Sequence, residues 1–325
     1  VLRFISVGLS QEAPVCALQF ADRACVFAEN GWLLDAPVAR FQSAGEEAQM
    51  QKSREARGFG RKIGRILLVA AVFLGAGVGS FAEPREKVVK TVAEIRRADY
   101  EGNREALQRL SDELLPFATD AQIGSRVRYW RGFAMWRKAI NGFNDNTSTR
   151  ELQQDLQSAV NEFEGAIMLD PSFVDAKVGE SSCIGMLAYA LTKENPEGQQ
   201  EKIAIARRLV REAQEAEPDN PRLAWVLGLN LWYTPVEHGG GQAKSIEMYE
   251  KGLATIRKQR TVAADSLDPA WGEPELMMSL AWCELNRTNP DVNTAERYAQ
   301  SALKIVPNWH YLKDILMPQI QKAKK

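Results

Sequence analysis

The sequence predicts an all-α protein: a helical-hairpin solenoid of four to five hairpins plus a terminal helix. Two observations predict it. In the first, a small residue is followed by an apolar one four places on, a small one three beyond that, and a proline five further. This spacing occurs at Ala159, Phe163, Ala166 and Pro171, at Ala206, Val210, Ala213 and Pro218, and at Ala295, Ala299, Ala302 and Pro307. A degenerate version, Ser245, Tyr249 and Gly252, lacks the proline. In the second, each of these segments follows a stretch where glycine or another small residue is flanked by large apolar ones: 128–136, 178–189, 223–233 and 276–283.

The physical reading is direct. Residues three and four apart share one helix face, so small residues there admit a second helix and the larger one fills the gap between them. Proline cannot continue a helix interior and marks the stop. A hairpin of two such helices cannot bury its apolar face alone, and stacking hairpins side by side solves that problem.

Taken in order, residues 1–49 precede the first methionine, Met50, and read as a mis-called or disordered extension. Residues 50–82 read as a signal peptide. Arg57, Arg61, Lys62 and Arg65 lead an uncharged run over 66–78, and Ser80-Phe81-Ala82 supplies small residues before a cleavage point. The alternative is an uncleaved signal anchor. Either way the remainder, 83–325, is expected as the helical repeat domain, periplasmic or extracellular. A first hairpin is expected over 85–117 and a closing helix over 309–321, interrupted by Pro318.

The alternation resembles the tetratricopeptide repeat, with a large residue and Gly in the first helix and Ala, an aromatic, Ala and Pro in the second. The spacing from Pro218 to Gly228 matches that family's distance between repeats. The resemblance covers about residues 125–310 and implies a right-handed solenoid whose first helices line a concave groove. Aligning Gly132, Gly228 and Ala281 with the family's first-helix small residue places Arg126, Tyr129, Phe133, Trp136 and Arg137 on that groove. It also places Arg222, Trp225, Leu229, Trp232 and Tyr233 there, then Met278 and Trp282. Aromatic and arginine residues dominate binding hot spots, though packing between hairpins competes for each of them. The sequence departs from the family in its lengthened turns, at 141–150, 192–200 and 234–241, and in a long connection from 258 to 273. The run Thr234-Pro235-Val236-Glu237-His238-Gly239-Gly240-Gly241, followed later by Trp271-Gly272, resembles a subset of exported bacterial repeat proteins of unassigned role, and some exported repeat proteins of this general form assist solute-binding transporters.

Other chemistry finds little support. With 41 basic and 42 acidic residues the net charge is −1, which argues against a nucleic-acid partner. Two histidines and four cysteines without a C-x-x-C pair leave almost nothing for a zinc or haem site, so no cofactor, metal or catalytic residue is expected. The Gly239-Gly240-Gly241 run followed by Lys244-Ser245 fails as a phosphate loop, because Ala243 precedes the lysine and no strand leads in. It reads as a turn with glycines at positive φ. Cys183 and Cys283 read as buried thiols too far apart to bond, and Glu273, Glu275, Asp265 and Asp268 as solvated carboxylates. The expected function is a non-enzymatic scaffold that holds a protein or peptide in the first-helix groove. The alternative is a periplasmic small-molecule binder assisting a transporter, its lengthened turns closing over a pocket among the tryptophans.

Overall fold

The computed structural model describes residues 82–190, 195–259 and 265–325. The extension at 1–49 and all of the export segment but its last residue lie outside the described residues. Among the described residues the chain is all-α, and consecutive helices pack in pairs. The pairs are α1 (Ala82–Tyr100) with α2 (Arg104–Leu114), α3 (Gly124–Asn144) with α4 (Thr149–Leu169), and α5 (Val174–Ala190) with α6 (Pro196–Ala216). Then come α7 (Pro221–Tyr233) with α8 (Gln242–Gln259), and α9 (Glu273–Asn286) with α10 (Val292–Ile305). A short α11 (Met317–Ala323) closes the chain. No described helix is long and apolar enough to cross a membrane.

The helix ends follow from local chemistry. Asn103, Ser148, Asn195, Asn220 and Asp291 each accept a backbone N–H of the first turn through the side chain, which satisfies donors that a helix start leaves open. α4, α6 and α10 stop two residues before Pro171, Pro218 and Pro307. Gly239 and Gly241 have φ of 81° and 101°, values that glycine adopts without a Cβ penalty.

The recurring spacing works as close packing. Phe163 of α4 lies so near Gly132 and Gly179 that an added Cβ would meet its ring at 3.0 and 2.5 Å. Tyr249 of α8 presses on Gly228 the same way, at 2.3 Å. The degenerate version therefore packs as the Phe163 version does, and Ser245 Oγ adds a 2.7 Å bond to the Gly228 carbonyl.

Three expectations are corrected. α3 runs on to Asn144, into the turn expected from residue 141. Pro318 does not interrupt the closing helix. It sits in the first turn of α11, straight after a π-helical turn over Tyr311–Leu316, where its missing N–H has least to disrupt. Glu275 is fully buried, its Oε2 accepting the Gly272 N–H at 2.9 Å and its Oε1 accepting from the Tyr100 hydroxyl at 2.7 Å.

One core runs through the first three hairpins and takes in Leu223, Val226 and Leu227 of α7 with Leu267 and Trp271; a second joins the last two hairpins and takes in Tyr100 of α1. Neighbouring hairpins meet broadly, through α2 and α3, α4 and α5, and α8 and α9. α6 and α7 barely touch, and this gap frames the site.

Candidate functional site

The first-helix residues divide into a filled half and an open half. In the filled half, residues 265–272 of the long connection lie across α1 and α3. Trp130 Nε1 donates to the Leu267 carbonyl at 2.8 Å, and Trp271 Nε1 donates to the Tyr129 hydroxyl at 2.7 Å. The Trp271 ring sits 5.5 Å from Phe133, 5.8 Å from Trp136 and 5.6 Å from Trp225. Arg126 bonds Asp268 at 2.9 Å and Asp170 at 2.7 Å, with its guanidinium 3.8 Å from the centre of the Phe173 ring. Tyr129, Phe133 and Trp136 are consequently 0, 1 and 0% exposed. The protein's own chain covers the surface they were expected to offer a partner.

In the open half a cavity of about 270 Å³ occupies the gap between the third and fourth hairpins. α3 supplies Arg137, Ile140, Asn141 and Phe143. α5 supplies Ser181, Gly185, Met186 and Tyr189, and α6 adds Arg207 and Val210. From α7 come Trp225, Leu229 and Tyr233, from α9 Met278 and Trp282, and from the C-terminal segment Trp309 and Tyr311. Of the twelve expected groove residues, Arg137, Trp225, Leu229, Tyr233, Met278 and Trp282 are brought together here. Arg126, Tyr129, Phe133, Trp136, Arg222 and Trp232 are not among its walls. Arg222 instead forms a two-pronged pair with Asp175 at 2.8 and 2.9 Å, and Trp232 packs edge-to-face on Trp282, with ring centres 5.0 Å apart. Trp225 belongs to both halves. Its indole donates to Ser279 Oγ at 3.1 Å while its ring touches Trp136 and Trp271.

Sequence reasoning did not place Tyr189, Gly185 or Arg207 at the site. The groove positions were not carried onto 178–189, the weakest of the four stretches, and Arg207 lies on a second helix. Trp309 and Tyr311 arrive only because the chain end folds back, for which no local signal exists.

Beneath the cavity lies a buried polar network. Arg137 Nε donates to Asp99 Oδ2 at 2.8 Å, and Asn141 Nδ2 donates to the Asp99 backbone and side-chain oxygens at 3.1 Å. Burial opposes the Arg137 charge, yet Asp99 and Glu275 keep it firmly protonated. Burial pushes the Glu275 carboxyl upward although Arg137 and Tyr100 pull it down. Arg137 Nη1 has no hydrogen-bond partner, a condition shared among buried described side chains only with Arg96 Nε and Trp136 Nε1.

Cys183 and Cys283 are free and buried. Burial raises both thiols, Cys283 to about 12, where a thiolate nucleophile does not form at neutral pH. Among the described residues no cluster of histidine, cysteine and carboxylate groups is arranged to hold a metal ion.

Comparison with known proteins finds no matching family model and no matching curated protein. Among solved structures, the HusA haemophore from Porphyromonas gingivalis is similar at 21% identity and a TM-score of 0.48, over 66% of this chain and 99% of that one. A likeness this distant carries no functional argument.

Proposed function

We propose that the protein is a non-catalytic binder of a small apolar molecule, held in the cavity between the third and fourth hairpins of a tetratricopeptide-like stack. One observation carries the reading: the groove is filled by residues 265–272 over α1 and α3, while an apolar cavity walled by aromatic rings stays open beside it. A concave, mostly apolar site with a few polar groups is the usual form of a small-molecule pocket. An open groove running across several hairpins, which an extended peptide needs, has less support. The volume of about 270 Å³ is nearly twice that of a cavity of about 150 Å³ that holds benzene, so a ligand of bicyclic size fits. Export of the protein, carried by the segment before residue 83, belongs to the same proposal and suits capture of a solute outside the cytoplasm.

Gly185 provides the test. It lines the cavity, and a Cβ added there meets nothing within 4 Å. Gly185→Phe should fill the cavity and leave the melting temperature unchanged or higher. Native mass spectrometry of the protein purified from its source cells should show a small-molecule adduct in the parent and none in the variant. An adduct kept in full by Gly185→Phe would sink the assignment to this cavity. Co-purification of a protein that survives Gly185→Phe would favour the peptide scaffold.

A further inference from the structure

We propose that the cavity selects small apolar carboxylic acids, taking the ligand's carboxylate at Arg137. This rests on the binding reading above and adds the ligand's charge. Two observations on the cavity point the same way. Its charged walls are both cationic, Arg137 and Arg207, with no aspartate or glutamate among them. Arg137 is 3% exposed and keeps one buried nitrogen, Nη1, without a hydrogen bond.

A buried guanidinium nitrogen without a hydrogen-bond partner is costly. The acids nearest Arg137 do not satisfy it. Asp99 Oδ2 takes Arg137 Nε and Asp99 Oδ1 takes Asn141. Glu275 accepts from Tyr100 and from the Gly272 N–H. The donor therefore remains over after the network is complete. Arginine suits carboxylate because its planar fork stays charged at all relevant pH and is weakly hydrated, so it works in an apolar setting where lysine would not. The guanidinium also lies 5.7 Å from the centre of the Trp225 ring, so its position is set by a wall of the cavity. The rest of the lining is dominated by aromatic and aliphatic side chains, which would hold the ligand's apolar body. A neutral ligand of the same shape gains that contact but brings no charge to meet Arg137 and Arg207 in the wall.

The test compares 1-naphthaleneacetate with 1-naphthaleneacetamide, which share size and shape and differ in charge, by calorimetry on the full chain. The acid should bind about 10- to 100-fold more tightly, as a hydrogen bond to a charged group implies. Arg137→Gln alone would leave Asp99 buried without its cation, so the variant of choice is Arg137→Gln with Asp99→Asn, checked for an unchanged helical spectrum. It should bind acid and amide equally. Arg137→Lys should recover only part of the preference. Equal binding of acid and amide by the parent, or a preference that survives in the double variant, overturns the carboxylate proposal and leaves the pocket reading intact. Binding of neither compound by the parent overturns both.

Discussion

Two neighbouring stretches of one surface meet opposite ends in this protein. Over α1 and α3 the aromatic residues of the first helices are roofed by residues 265–272, with Trp271 wedged among Phe133, Trp136 and Trp225. Between α5 and α9 similar residues surround empty space, and Leu229 is 39% exposed. Residue type does not separate the two, since both are rich in tryptophan and tyrosine. The route of one connection does. Where the segment between α8 and α9 crosses the surface, the aromatics become core. Beyond its reach they stay available.

Substitutions on each side can break or sharpen this contrast. The largest effect is expected from Trp271→Ala, which removes the roof and leaves a void against three rings. It should cost about 3–5 kcal/mol in a denaturant titration and make Tyr129 and Phe133 newly accessible. A loss under about 1 kcal/mol would mean that the segment merely rests on the surface. Tyr129→Phe keeps the packing but strands the Trp271 N–H. It should cost about 1–3 kcal/mol, the penalty of an unsatisfied buried donor.

On α5, Glu180 is buried and precedes the cavity-lining Ser181. Burial, with Glu164 nearby, pushes its carboxyl to about 7 against an ordinary 4.5. The native state then holds this proton more tightly than the unfolded one, so stability falls as pH rises from about 4.5 to about 7 and is level above. Glu180→Gln should flatten that slope. The gain above pH 7 should reach about 1–2 kcal/mol after allowing for solvent screening, with no gain below pH 4.5, read from melting curves across the range. The smallest effect belongs to Gly185→Ala. The change adds a methyl into open space and should stabilise α5 by about 0.5–1 kcal/mol.

These contrasts show how far the sequence could be read. The hairpins were legible because the small–apolar–small–proline spacing is a local signature of close helix packing, as Phe163 between Gly132 and Gly179 demonstrates. The first-helix positions were also informative: Arg137, Trp225, Leu229, Tyr233, Met278 and Trp282 do face one cavity. What stayed hidden was long-range. Nothing near Trp271 announces that it will seat more than a hundred residues away on Tyr129, and Glu275 looks like any solvated carboxylate until Tyr100 and Gly272 meet it.

The ends of the stack are tied together. Tyr100 at the end of α1 reaches Glu275 and packs edge-to-face on Trp309, with ring centres 5.1 Å apart, and Arg85 pairs with Asp265, 180 positions along the chain. A linear repeat array behaves as a spring, stretching and unravelling from its ends one unit at a time. Clasped this way, the array becomes a stiff loop in which strain at either terminus is felt at the other.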